Sequence, residues 1–203
     1  MDSAALITAF FTLFVIIDPI GLTPLFVSLT HDMTGGVLRI ALIPACGVAF
    51  GLLALFAFFG EAVLGFIGIS MPAFRIAGGA LLFLTALDML FERRTKRRED
   101  QADERPDPSV FPLAIPLIAG PGSIATVILL AGQNTGIQGA ALVLGVALAV
   151  LGVVLFLFMT SGLLARALGK TGINVVTRLL GMLLAALAIQ FILDGLRDFG
   201  FTG

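Results

Sequence analysis

Residues 10–30 read FFTLFVIIDPIGLTPLFVSLT, an apolar run that Asp18, Pro19 and Gly21 interrupt at its centre. Asp18 is the only charged residue between Ser3 and Thr30. Proline lacks a backbone N–H and clashes with the carbonyl group four residues earlier, so it breaks a helix interior. Proline suits the first position of a helix, and Asp suits the N-cap before it. The stretch therefore predicts a broken helix, in which Asp18 and Pro19 end one half and begin the next.

The composition of the chain places this break within a membrane. Of the 203 residues, 59% are hydrophobic and 12% are charged, whereas soluble domains average about 25% charged residues. A membrane-spanning helix needs about 20 apolar residues. We identify six such segments, at about 4–30, 38–59, 71–91, 109–131, 137–163 and 173–196. Because backbone polar groups in lipid must bond within their own segment, we expect an all-α, polytopic membrane protein with six transmembrane helices.

Two further segments complete this arrangement. Residues 62–70 are too short to span a membrane, and we expect them to form a short interfacial or re-entrant piece. Residues 92–108 form the only strongly polar segment and hold six of the 12 Lys and Arg residues, and loops rich in Lys and Arg remain in the cytoplasm. Alternation from this cytoplasmic linker places both termini on the periplasmic side. Of the 12 Lys and Arg residues, only Arg75 and Arg197 then lie outside.

An internal repeat divides the chain on either side of the linker. Asp18-Pro19 aligns with Gly120-Pro121 at an offset of 102 residues. At an offset of 103, the segment 75–78 (RIAG) aligns with 178–181 (RLLG). The chain is therefore expected to contain two three-helix halves, 1–91 and 109–203. An odd number of spans in each half gives the halves opposite orientations, the inverted-repeat plan of many secondary transporters.

The first and fourth helices are thus both expected to break near the middle of the membrane. Each break exposes unpaired N–H groups and the positive end of a helix dipole, which favour an anion such as a carboxylate. Asp18 has no acidic counterpart in the second half, and it could cap its own half-helix, receive a substrate ammonium or carry a coupling proton. A zwitterionic amino acid would satisfy both kinds of group. The candidate substrate-binding residues are Asp18, Pro19, Gly21, Thr23, Gly120, Pro121, Gly122 and Ser123.

Three other polar residues in apolar segments are candidates for coupling or gating: Arg75, Asp88 and Gln190. Arg75 could instead extend to the membrane interface or pair with Glu61. Asp88 could form an ion pair near the end of its span. Gln190 could face the bundle interior, where a hydrogen bond between helices is the simpler expectation.

Other classes of function have less support in the sequence. Asp18 and Asp88 are predicted at very different depths, the single histidine lies in a loop, and Cys46 is the only cysteine. We therefore expect neither an enzyme nor a metal or other cofactor. The net charge of −1 gives no indication of a nucleic-acid partner. A channel or a membrane scaffold stays an alternative to a transporter, and a homo-oligomer stays open.

Three stretches resemble the MarC family of bacterial inner-membrane proteins: DPIGLTPLFVSLT (18–30), ISMPAFRIAGGALLFLTALDMLF (69–91) and FPLAIPLIAGPGSIATVILL (111–130). The family is also grouped with small neutral amino acid transporters. The resemblance, together with the spacing of the six spans, covers nearly the whole chain. It implies a multi-pass inner-membrane protein and, as the expected substrate, a small neutral amino acid. Where many members have Asn before the first proline, this chain has Asp18.

Overall fold

A computed structural model of the chain describes residues 3–29, 35–91, 114–115, 118–133 and 136–201. The linker 92–108 and His31 lie outside these ranges. The described residues are helical and contain no β-strand, which confirms the all-α prediction. The α-helices are α1 (Ser3–Ile17), α2 (Thr23–Leu29), α3 (Gly35–Ile67), α4 (Met71–Leu90), α5 (Pro121–Gly132), α6 (Ile137–Met159) and α7 (Ser161–Phe199).

Four of these helices contain a segment long and apolar enough to cross a membrane: Leu42–Ile67 within α3, α4, α6 and α7. The helices α1 and α5 are also apolar, but they have only 15 and 12 residues. A 12-residue helix is about 18 Å long, which is shorter than the hydrocarbon core of a bilayer. Helix α1 is followed by a turn and α2, and α5 is preceded by a short π-helical segment. The first and fourth predicted spans are therefore the broken ones.

Helix α3 corrects the prediction for residues 62–70. It continues to Ile67, so no separate interfacial or re-entrant piece follows the second span. Gly60 lies inside the helix and has a packing role. A Cβ at that position would meet Ile128 Cγ1 at 2.5 Å, so the absent side chain lets α3 approach α5. The helix ends instead at Gly68, whose φ of +84° lies in the left-handed region that glycine tolerates. Ser70 then caps the N-terminus of α4 through a hydrogen bond from Ala73 N to its Oγ.

Helix α7 also begins earlier than the predicted span 173–196. Its first residue, Ser161, follows α6 after the single residue Thr160. Gly169 interrupts α7 with φ 61° and ψ 177°, so residues 161–168 form a separate short helix before the long one. Hydropathy does not reveal this short helix, because it contains Ser161 and Arg166 and lies before the apolar run of the predicted span 173–196.

The long helices α4 and α7 pack against each other in antiparallel directions. Arg75, near the start of α4, forms an ion pair with Asp198, near the end of α7. At the other end of α4, Met89 contacts Gly181, where a Cβ would lie 3.0 Å from Met89 Cβ. These are the third helices of the two predicted halves, and oppositely oriented halves require them to be antiparallel. The inverted repeat as a whole stays a prediction.

Two apolar clusters form the core, and the broken helices contribute to both. One cluster joins α1, α2, α3, α5 and α6, and it includes the stacked rings of Phe26 and Phe158 with centroids 4.4 Å apart. The other joins α1, α4, α5 and α7 around Leu82 and Leu184. Helices α1 and α5 thus lie between the pair α3–α6 and the pair α4–α7, and this position brings their breaks into the centre of the bundle.

Candidate functional site

The first break is built around Asp18, which follows the last residue of α1 and caps the turn that leads into α2. Its backbone N–H donates to Phe14 O at 2.9 Å, as in the last turn of α1, and its carbonyl oxygen accepts from Leu22 N at 3.0 Å. Its carboxylate oxygen Oδ1 accepts from Gly21 N at 3.0 Å. Side-chain acceptance from the third residue of the new helical turn is the bond of an N-cap. The carboxylate therefore caps the turn of residues 19–22, whereas α2 itself begins at Thr23 and not at Pro19 as predicted.

Asp18 takes an unusual backbone conformation to perform both tasks. Its φ is +55°, and among the described residues it is the only one other than glycine with a positive φ. Asp is one of the few residue types that tolerate this region. The residue is also 1% exposed, so its carboxylate depends on protein groups for compensation.

Gly21 brings the chain close to both Asp18 and Thr177 of α7. A Cβ on Gly21 would lie 2.8 Å from the carboxyl carbon of Asp18 and 2.8 Å from Thr177 Oγ1. Because both atoms lie 2.8 Å from the same point, the Asp18 carboxyl carbon and Thr177 Oγ1 are at most 5.6 Å apart. Thr177 Oγ1 is buried, and within the described ranges it has no hydrogen-bond partner. The first break thus combines a buried carboxylate with an unpaired hydroxyl group from the other half of the chain.

The second break uses a different set of groups. Ala119 N donates to Ala114 O at 2.9 Å, a π-type turn, and Gly120 follows in an extended conformation with φ −85° and ψ 170°. Pro121 begins α5 as predicted, and no side chain caps it. Ser123 Oγ lies 2.7 Å from Ile118 O and 3.0 Å from Gly120 O. Its hydroxyl therefore donates to carbonyl oxygens at the break, of which Gly120 O also accepts from Ile124 N at 3.0 Å.

The structure brings the two breaks together through Gly122. A Cβ on this residue would lie 3.2 Å from Ile16 Cγ2 in α1 and 3.6 Å from Leu82 Cδ2 in α4. Ile16 precedes Asp18 by only two residues. The absence of a side chain at Gly122 therefore lets the N-terminus of α5 pack directly beside the end of α1, as the paired breaks predict.

The breaks do not lie at the midpoint of α4. Gly122 is level with Leu82 and Thr85, whereas Gly132, at the other end of α5, contacts Met71. The breaks are therefore nearer the end of α4 that carries Asp88, which lies one turn beyond Thr85. Asp88 is half-buried, and its depth is closer to that of the breaks than its place in the sequence indicates.

Two buried threonine hydroxyls at the breaks bond to carbonyl groups four residues earlier in the chain. Thr23 Oγ1 donates to Pro19 O at 3.0 Å, and Thr126 Oγ1 donates to Gly122 O at 2.9 Å. A hydroxyl oxygen that donates once can still accept, so these residues can receive a hydrogen bond from a ligand. Both residues and Ser123 are buried together with Asp18.

Two of the coupling candidates lie away from the breaks. Arg75 pairs with Asp198 rather than with Glu61, because the end of α7 lies beside the start of α4. Gln190 is exposed on α7, and its Nε2 donates to Asp194 Oδ1 at 2.9 Å, one turn along the same helix. The expectation that Gln190 faces the interior or bonds to another helix is wrong, since Ala188 and Phe191 occupy the buried face of α7.

Thr177, whose hydroxyl faces the first break, was not among the residues predicted from the sequence. It occurs in the stretch INVVTRLL (173–180) between Asn174 and Arg178, so its polarity alone did not distinguish it from its neighbours. Its partner Gly21 is 156 residues away along the chain, so local spacing carries no information about the contact.

Comparison with protein-family models matches residues 3–199 to the MarC family integral membrane proteins. The chain is 36% identical to a UPF0056 membrane protein of Aquifex aeolicus, over 95% of this chain and 92% of that protein. It is also 36% identical to the UPF0056 membrane protein YvbG of Bacillus subtilis, over 95% and 94% of the two chains.

A third relative is the UPF0056 inner membrane protein YhgN of Escherichia coli, which is 35% identical over 95% of this chain and 96% of its own length. No solved structure matches. The family model covers both broken helices and all four long spans, so this chain is a multi-pass integral membrane protein that belongs to the MarC family.

Proposed function

We propose that this protein is a secondary transporter that moves small neutral amino acids, or similar small zwitterions, across the bacterial inner membrane by alternating access. One observation carries the proposal: the buried polar side chains of the described residues are concentrated on the two broken helices. Ser161 is the exception, and the others are Thr12, Asp18, Thr23, Ser123 and Thr126. Polar groups are costly in lipid and are retained in membrane helices mainly where a substrate or an ion needs them.

The two breaks offer complementary charges to a zwitterion. The N-terminus of α5 has the positive end of a helix dipole, with first-turn N–H groups that lack partners within the helix. Asp18 contributes a carboxylate for an ammonium group. Gly122 packs on Ile16, two residues before Asp18, so both groups belong to the same region of the bundle.

The described conformation is closed around these groups. Asp18, Thr23, Ser123 and Thr126 are each at most 1% exposed. Substrate entry therefore requires a rearrangement. Helices α1 and α5 contact both apolar clusters, so a rocking motion of α3–α6 relative to α4–α7 would open the space between the breaks. The proposal includes periplasmic termini and a cytoplasmic 92–108 linker, and the Arg75–Asp198 pair fits that topology because it joins two ends expected on the periplasmic side.

Counterflow in proteoliposomes tests this function. Vesicles that contain the purified protein are loaded with unlabelled alanine or glycine and offered the labelled amino acid outside. We expect saturable uptake by the wild type and a loss of most uptake in Pro121→Ala, because this substitution removes the residue that begins α5 at the break. Pro44→Ala is the matched control, since Pro44 lies exposed within α3.

The possible results separate the transporter from its alternatives. Uptake that neither saturates nor follows the concentration of the internal amino acid would indicate a channel. Equal loss in Pro121→Ala and Pro44→Ala, with both proteins folded, would remove the break from the mechanism. An absence of counterflow for a panel of small amino acids would contradict the proposed substrate class.

A further inference from the structure

A cavity of about 440 Å³ lies between α3, α5 and α6, at the end of α5 away from the breaks. Its size suits a small ligand, since such sites measure about 300–1,000 Å³. The lining residues at the buried end include Ala57, Ile128 and Ala140, whereas Phe58 and Ile137 are exposed. The cavity therefore has an apolar interior and an open mouth.

One lining residue, Glu61, is ionisable and exposed, so it lies toward the mouth. The lining also includes Ala131 and Gly132, the last two residues of α5. The last carbonyl groups of a helix are without helical partners and carry the negative end of its dipole. A carboxylate and a helix C-terminus thus make the electrostatic potential at this cavity negative.

We infer that this cavity binds an organic cation: a primary ammonium group on a short apolar body. The ammonium group pairs with Glu61 and the end of α5, and the apolar body occupies the space beside Ala57 and Ile128. This site is separate from the breaks, because α5 is about 18 Å long and the two sites lie at its opposite ends. The inference does not depend on the proposed transport of amino acids.

Two sources could supply this ligand chemistry, a free primary amine or a phospholipid whose headgroup carries a primary ammonium group. Isothermal titration of the purified protein in detergent with n-hexylamine tests the free amine, with 1-hexanol as the uncharged match. The same titration in nanodiscs of phosphatidylcholine, with and without phosphatidylethanolamine, tests the lipid. If the lipid is the natural occupant, phosphatidylethanolamine will compete and weaken the apparent affinity for hexylamine. If a free amine is the natural occupant, phosphatidylethanolamine will leave that affinity unchanged.

Two variants test the residues. Glu61→Gln should weaken hexylamine binding by roughly threefold to fivefold, the loss expected for an exposed ion pair, and leave hexanol binding unchanged. Ala62→Phe, at the exposed part of the lining, should fill the cavity and weaken both. Asp194→Asn, which removes a charge elsewhere, is the control. Equal binding of hexylamine and hexanol, equal hexylamine binding by Glu61→Gln, or no binding at millimolar hexylamine would each overturn the inference.

Discussion

The two breaks solve the same backbone problem with different chemistry. Each has a proline at the break, Pro19 in the turn before α2 and Pro121 at the start of α5, and each uses a nearby side-chain oxygen to bond a backbone group that the break exposes. In the first break this oxygen belongs to the carboxylate of Asp18, and in the second it belongs to the hydroxyl of Ser123. The second break shows that the fold can interrupt a central helix without a charge. Asp18 therefore supplies more than the architecture requires, which is the argument for its role in function.

The largest expected effect on stability comes from the packing around Gly21 and Gly122, which differs between the two breaks. Gly21→Ala places a Cβ 2.8 Å from both the Asp18 carboxyl carbon and Thr177 Oγ1, whereas Gly122→Ala meets its nearest atom, Ile16 Cγ2, at 3.2 Å. Overpacking of this kind costs about 1–3 kcal/mol. We expect Gly21→Ala to lower the thermal stability in detergent clearly more than Gly122→Ala, and to abolish counterflow. A smaller effect at Gly21 than at Gly122 would contradict the close approach of Asp18 and Thr177.

The charge of Asp18 is the next difference to remove. Asp18→Asn keeps an oxygen that can accept from Gly21 N, so the cap and the folded state should persist. If Asp18 carries a coupling proton, the variant should keep amino acid exchange but lose accumulation driven by a proton gradient. Asp18→Ala should in addition lose about 1 kcal/mol of stability with the cap.

The measurement for Asp18 is net uptake as a function of external pH, with Asp194→Asn as the control carboxylate on α7. Wild type and the control should share one pH dependence, and Asp18→Asn should lose it. A pH dependence that survives in Asp18→Asn would exclude Asp18 as the proton carrier and leave it as the cap.

Thr177 gives the smallest expected change in stability but a clear functional one. Thr177→Val keeps the shape of the side chain and removes a buried hydroxyl that has no hydrogen-bond partner among the described residues. Stability should stay within about 1 kcal/mol or rise, because an unpaired buried hydroxyl is itself costly. Counterflow should fall by roughly tenfold if the hydroxyl binds substrate, the loss expected for one hydrogen bond to a charged group. Unchanged counterflow in a stable Thr177→Val protein would exclude that contact.

The boundary errors in the sequence analysis have one physical cause. Hydropathy reports where apolar residues occur, but the end of a helix is set by the backbone conformation at that point. Helix α3 therefore continues past Gly60, whose missing side chain admits Ile128, and stops at Gly68, whose φ is positive. The position of Gln190 was predicted wrongly for a related reason. A polar side chain in a span can bond within its own helix on the exposed face, or it can point into the bundle, and hydropathy does not distinguish the two.

The sequence by itself determined the all-helical membrane fold and the two breaks. These follow from composition and from the local chemistry of Asp-Pro and Gly-Pro, which act within one turn of the chain. Only the tertiary structure decided what surrounds the breaks: Ile16 against Gly122, Thr177 beside Asp18, and Asp198 rather than Glu61 as the partner of Arg75. Such contacts join residues about 100 or more positions apart, and they depend on how whole helices pack, which no local pattern specifies.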